Sequence, residues 1–201
     1  IKQARYRLGE CAVAMDDLLL AESYFKSIHS DQTEKPEPRA LYKLAELAFY
    51  RQESEKMSHY IQELLDSDLK HDQSLVNDVL EMQLLVQKTV QDSASLGVLG
   101  KASLLYRQKQ YTVCVDTLEQ FITKVPGTPL RDEILLFSAD ALVQLKREEQ
   151  AIEKLETVYS NKEGMYSDKA LYEMANIYSK QGESEQAIEL YEKILYEFPH
   201  S

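Results

Sequence analysis

The sequence predicts an all-α chain built from antiparallel helical hairpins, with one extra helix between the second and third. Three observations carry that expectation. Six glycines and five prolines in 201 residues are about half the usual usage, and both residues break helices. Apolar residues recur at helical spacing: Ala170, Leu171, Met174, Ala175 and Tyr178 form one stripe, and Ala187, Ile188, Tyr191, Ile194 and Leu195 another. Lys180-Gln181-Gly182-Glu183 separates the two stripes and Pro199 closes the second, a hairpin of about 33 residues. Finally, the chain matches itself at several offsets, the signature of a repeat array.

The first hairpin matches the last at an offset of 166 residues, where Leu8-Gly9, Ala21, Phe25 and Ile28 fall on Met174-Ala175, Ala187, Tyr191 and Ile194. An offset of 130 places Ala40–Ala45, Glu53-Ser54-Glu55 and Leu64-Leu65 on their counterparts. Offsets of 73 and 36 do the same for Ala102, Leu105, Cys114, Leu118 and Phe121, and for Leu135, Ala139, Leu142, Ala151, Leu155 and Val158. Five hairpins result, beginning near residues 2, 38, 95, 132 and 168 at intervals of 36, 57, 37 and 36. The long interval exceeds a regular one by 21 residues, enough for one more helix. Leu75, Val76, Val79, Leu80, Met82, Val86 and Val90 give that helix, over 72–92, an apolar face broad enough to be covered on two sides. Asp72 or Ser74 caps its start, and Asp92-Ser93 caps the start of the next helix. The expected organisation is a sub-array of two hairpins over 1–67, a segment at 68–94 and a sub-array of three hairpins over 95–201. Residues 68–94 read either as a lone bridging helix or as a degenerate repeat.

The columns of this alignment resemble the tetratricopeptide repeat, with Leu171 at position 4, Met174-Ala175 at 7–8, Tyr178 at 11, Ala187 at 20, Tyr191 at 24 and Pro199 at 32. The resemblance covers about 165 of the 201 residues and implies a right-handed superhelical α-solenoid. Small residues at 8 and 20 let the paired helices approach, and large ones at 4, 11 and 24 fill the space between hairpins. Met57 at position 20, and Lys101 and Ser138 at position 7, depart from the pattern and predict less regular packing. The turns Val125–Asp132 and Glu197–Ser201 are similar to turns of bacterial envelope members of that family.

Chemistry leaves few signals. A net charge of −11 opposes nucleic-acid binding, which rests on lysine and arginine, and no apolar run approaches a membrane span. His29, His59, His71 and His200 are scattered, and no metal-ligand motif occurs; no cofactor is expected. Gly97 and Gly100 lack the strand and Gly-Lys-Ser/Thr ending of a phosphate loop and read as a close helix contact. Cys11 and Cys114 fall in apolar and small-residue columns, and both read as buried hydrophobes. The chain opens at Ile1 and stops in a turn signal, which reads as an excised fragment, cytoplasmic or bacterial periplasmic.

In the family, positions 2, 5, 9, 12 and 13 of the first helices line a groove. The resemblance therefore implies a partner-binding wall of Tyr6, Glu10, Tyr42, Glu46, Phe49, Tyr50, Leu99, Ser103, Tyr106, Leu136, Asp140, Tyr172 and Asn176. Carboxylates alternating with aromatics suit a protein or peptide with basic and apolar residues. The family's carboxylate clamp needs Lys at position 5, and none stands there. The expected function is a non-catalytic protein–protein scaffold. The alternatives are the accessory region of a larger enzyme or envelope-assembly protein and, behind these, an RNA-binding array. The last helix ends the array on Ile188, Tyr191, Ile194 and Leu195 without a solvating helix, so it either forms a homodimer or buries that face on further chain.

Overall fold

The computed structural model describes residues 1–29, 37–67, 69, 72–88, 92–161 and 164–199. His71, Val90, His200 and Ser201, on which sequence expectations fell, lie outside the described residues. The chain is all-α, with eleven helices and no strand among the described residues. In order they are α1 (Lys2–Ala14), α2 (Leu18–His29), α3 (Pro38–Tyr50), α4 (Ser54–Leu65), α5 (Gln73–Lys88), α6 (Ser93–Arg107), α7 (Tyr111–Lys124), α8 (Arg131–Gln144), α9 (Glu148–Ser160), α10 (Ser167–Gln181) and α11 (Ser184–Glu197).

One backbone device marks the repeat register. Asp16, Gln52, Lys109, Lys146 and Gly182 all have positive φ, between 59° and 84°. Each comes one or two residues after a helix, and the amide of the next residue reaches back five residues. Asp17 N donates to Ala12 O at 2.9 Å, Glu53 N to Ala48 O at 2.8 Å, Gln110 N to Leu105 O at 2.9 Å, Arg147 N to Leu142 O at 3.0 Å and Glu183 N to Tyr178 O at 2.9 Å. This is the Schellman ending, which satisfies carbonyls that a helix terminus leaves open. The five left-handed residues recur at intervals of 36, 57, 37 and 36, the register that the apolar columns give. Only Gly182 adopts the conformation without a Cβ penalty. Lys146→Gly is therefore expected to raise the stability of its turn by about 1 kcal/mol, read as a higher urea midpoint; an unchanged or lower midpoint would show that the lysine carries no strain.

Two compact units divide the chain, residues 1–110 and 111–201. The division falls after α6, later than the boundary near 95 that the sequence suggests, and leaves α6 in the first unit and α7 in the second. In the first unit α1 pairs with α2 and α3 with α4, and α2 packs on α3. Arg51 reaches back to Glu22 at 2.5 Å, and His29 Nε2 lies 3.1 Å from Glu63. The extra helix α5 is a single helix, with Asp72 Oδ1 accepting from Leu75 N at 3.2 Å at its start. It packs on α4, the seat that α3 takes on α2. Among the described residues its broad face is not covered on two sides as expected. Leu75, Val79 and Met82 are buried, but Leu80 is 48% exposed, because a single helix supplies only one neighbouring surface.

With that seat filled, α6 packs instead on α3 and touches α1. Asp92 caps it, accepting from Ser95 N at 3.0 Å. Gly100 makes the close contact: a Cβ there would stand 2.3 Å from the Phe49 carbonyl oxygen. Gly100 thus serves helix packing, as the sequence suggests, while Gly97 lies against the Gln52 side chain in the turn after α3.

The second unit is a regular stack in which α7 packs on α8, α8 on α9, α9 on α10 and α10 on α11. Its small-residue columns are buried: Ala139 and Ala175 at position 8, Cys114, Ala151 and Ala187 at position 20. Gly9, Ala45, Ala102, Ala21 and the larger Met57 are buried at the same positions of the first unit. Of the other departures, Lys101 is exposed and Ser138 is buried with its hydroxyl oxygen unpartnered. Burial pushes the Cys114 thiol up to about 12, with the Asp140 carboxylate adding to it, so Cys114 is the inert residue its column predicts. Cys11 is not: it is exposed, since none of the described helices packs on the side of α1 that it faces.

Candidate partner-binding surface

In the first unit, Glu10 on α1 and Glu46 on α3 occupy the same repeat position and are drawn into one ionic cluster. Lys43 Nζ donates to Glu46 Oε2 at 2.5 Å and lies 3.9 Å from Glu10 Oε1. Arg107 Nη2, at the end of α6, donates to Glu46 Oε1 at 2.9 Å, and Arg7 pairs with Glu10 at 2.9 Å. Lys43 and Glu46 are nearly buried, with side chains 11% and 12% exposed. Below the cluster is a cleft of about 100 Å³ lined by Glu10, Phe25, Lys43, Glu46, Tyr50 and Arg107 among others. A second tie holds the end of α6, where Gln108 Nε2 donates to Asp16 Oδ1 at 2.9 Å.

The wall expected in this unit is therefore largely spoken for. Phe49, Tyr50 and Leu99 are buried, and Gly100 sits against the Phe49 backbone; these residues are packed within the fold instead of offered to a partner. Tyr6, Tyr42, Ser103 and Tyr106 are half-buried. The carboxylates expected to meet a basic partner are matched by Lys43 on α3 and by Arg107 on α6. The sequence carries a signal for this: Lys43 and Glu46 stand three residues apart on one helix, and Arg107 occupies position 13 of the next matched repeat.

The same cluster sets the tyrosine chemistry. Burial, then Glu10 and Glu46, pushes the Tyr6 phenol up to about 12. Tyr42 and Tyr50 are raised above the ordinary tyrosine range, first by burial and next by Glu46. Burial works against the Arg107 charge, but Glu46 and Tyr50 outweigh it and hold the guanidinium above its usual value. All three phenols stay neutral in the folded chain while the unfolded chain ionises near pH 10. Their contribution is thus complete below pH 10 and is lost as pH rises beyond it. The first unit is expected to lose stability from pH 10 upward, followed by circular dichroism in urea at fixed pH. Tyr6→Phe/Tyr42→Phe should flatten that loss, and an equally steep loss in this variant would contradict the assignment.

In the second unit the residues expected to form the wall are more exposed. Leu136 and Asp140 stand four residues apart on α8, as do Tyr172 and Asn176 on α10, so each pair shares one face of its helix. Asp140 is exposed, Tyr172 is 52% exposed, and Leu136 and Asn176 are half-buried. Tyr191, which the sequence assigns to packing alone, also positions this surface. Its hydroxyl donates to Asn176 Oδ1 at 2.8 Å, and its ring lies 6.0 Å from that of Tyr172. This leaves the Asn176 amide nitrogen and the Tyr172 ring as fixed polar and aromatic features on α10.

Among the described residues, no group of three or more His, Cys, Asp or Glu is arranged to hold a metal ion, and no helix is long and apolar enough to cross a membrane. The tetratricopeptide repeat family model matches residues 168–201, the stretch of α10 and α11. Among solved structures, the chain is similar to MamA from Desulfovibrio magneticus RS-1 at 13% identity and a TM-score of 0.46, covering 97% of this chain and 93% of that one. It is similar to the TPR-like repeats of a Podosopora anserina protein assigned as a kinesin light chain at 17% identity and a TM-score of 0.48, covering 96% and 92%. PilW, described as a type IV pilus biogenesis factor, is similar at 15% identity and a TM-score of 0.45, covering 100% and 94%. No curated protein matches the sequence.

Proposed function

We propose that this tetratricopeptide repeat protein is a non-catalytic scaffold that holds a partner peptide or helix against the α8–α10 wall of its second unit. Repeats of this kind are protein-interaction modules, and arrays present extended surfaces to their partners. The observation that carries the choice of wall is the contrast in exposure. Tyr172 and Asp140 stand open, whereas at the same repeat positions of the first unit Leu99 is buried and Tyr6, Tyr42, Glu10, Glu46 and Ser103 are half-buried. An exposed, oriented tyrosine beside a carboxylate suits a segment that carries an apolar residue close to a lysine or arginine.

Selection from a random peptide display library on the folded chain tests this reading. Enriched peptides should combine apolar and basic residues, and titration calorimetry should show at least about a tenfold loss of affinity for Tyr172→Ala/Asp140→Lys. Tyr42→Ala/Glu46→Gln, in the first unit, should leave the affinity unchanged. Equal affinity of the wild type and the second-unit variant would refute the choice of wall.

A further inference from the structure

The cleft of about 100 Å³ in the first unit is lined by two kinds of chemistry. Val13 of α1, Phe25 of α2, and Leu47 and Tyr50 of α3 give it an apolar lining, and all four are buried. The remainder is ionic, carries both signs and reaches solvent: the Glu10 side chain is 29% exposed and that of Arg107 46%, with Lys43 and Glu46 between them in the cluster. The α1 residues at the cleft, Glu10, Val13 and Ala14, stand at positions 9, 12 and 13, on the side of that helix turned toward Lys43 of α3 and Arg107 of α6. Four helices of one unit therefore line the cleft.

The ionic groups do not satisfy one another completely. Glu46 uses both oxygens, accepting from Lys43 and from Arg107. Glu10 Oε2 accepts from Arg7 at 2.9 Å, but Glu10 Oε1 has Lys43 only at 3.9 Å, beyond hydrogen-bond reach. Arg107 donates through Nη2 to Glu46 and also bonds to Tyr50, which leaves part of its five-donor fork for a further acceptor. One acceptor and part of one donor group thus remain above an apolar space. A simple cation entering there would meet Lys43 and Arg107, and a simple anion would meet Glu10 and Glu46. A wholly apolar molecule would cover these charges without pairing them. An ammonium and a carboxylate on one carbon match both signs at once. A cavity of about 150 Å³ admits a benzene ring, so the space here suits a branched hydrocarbon group of about three or four carbons.

We propose that the cleft binds a free aliphatic α-amino acid, with its ammonium donating to Glu10, its carboxylate accepting from Arg107 and its side chain against Val13, Phe25 and Leu47. No bond is made or broken. The bound molecule links α1, α3 and α6 and stabilises the first unit by mass action. This site is separate from the α8–α10 wall and does not rest on the peptide-binding reading.

Titration calorimetry with L-leucine on the 201-residue chain tests it, together with urea unfolding in the presence and absence of the amino acid. L-leucine should bind and should raise the urea midpoint of the first unit. Glycine lacks the hydrocarbon group, L-leucinamide the carboxylate and N-acetyl-L-leucine the ammonium, and each should bind at least about tenfold more weakly. Ala14 is exposed and lines the cleft, so Ala14→Phe should leave the fold intact, as circular dichroism checks, and should abolish binding by filling the space. Glu10→Gln should weaken L-leucine at least about tenfold and erase its advantage over N-acetyl-L-leucine, a change of preference that a merely loosened fold would not produce. Failure of L-leucine to bind overturns the proposal, as does undiminished binding by Ala14→Phe. Equal affinity for L-leucinamide or for N-acetyl-L-leucine also overturns it, because the cleft would then take one terminus of a peptide instead of a free amino acid.

Discussion

Gly100→Val is expected to lift α6 from α3 and to destabilise the first unit by about 1–3 kcal/mol or more. The obstacle is backbone: a Cβ at this position would lie 2.3 Å from the carbonyl oxygen of Phe49. A side chain could rotate away from such a contact, but a carbonyl inside a helix cannot. Either the helices separate or α3 distorts, and separation exposes Leu96, Leu99, Phe49 and Tyr50, all of them buried in the native fold. Urea unfolding followed by amide exchange resolves the outcome. Exchange should accelerate over 93–107 and along α3, and α8–α11 should keep their protection. Unchanged exchange in α6 would mean that the glycine contact does not hold that helix in place.

Phe25→Ala should be the most damaging truncation in the first hairpin, at about 3–5 kcal/mol. Phe25 is fully buried, and its ring meets Tyr6 edge-on with centroids 5.6 Å apart. It also lines the cleft of about 100 Å³ beneath the Glu10–Lys43–Glu46 cluster, so truncation enlarges an existing space that the surrounding helices cannot readily close. The fit is tight on its other side. A Cβ on Gly9 would come within 2.6 Å of the same ring, so Gly9→Ala should overpack the site. Combining Gly9→Ala with Phe25→Leu should cost less than the sum of the two single changes, because the smaller side chain makes room for the methyl group. Additive costs from chemical denaturation would contradict direct packing between the two positions.

The parts of this molecule that were legible in the sequence are those fixed within a hairpin. Ala151 and Ala187 had to be small because paired helices cross there, and both are buried. The turn that ends each first helix recurs in the same register even where lysine or glutamine replaces glycine, because backbone hydrogen bonding imposes it. What was not legible depends on which helix occupies which seat. The 21 extra residues announced a helix, but nothing local states that α5 takes the place against α4 and leaves α6 on α3. That choice buries Phe49, Tyr50 and Leu99, which their repeat positions would otherwise assign to a binding wall. Cys11 misleads for a related reason: its column is apolar, yet burial in that column comes from a packed neighbouring helix, and no described helix covers Cys11. Tyr191 has two roles, since its ring fills a packing position and its hydroxyl orients Asn176.

Hydrogen–deuterium exchange of the intact chain, with and without a saturating peptide selected for binding, tests the central claim most directly. If the second unit carries the binding wall and α6 closes that of the first, the peptide will slow exchange along the faces of α8 and α10 that hold Leu136, Asp140, Tyr172 and Asn176. Exchange in α1, α3 and α6 will not change. Protection of α1 and α3 together with faster exchange in α6 would contradict the account, because it would mean that the partner enters the first unit and displaces the helix seated there.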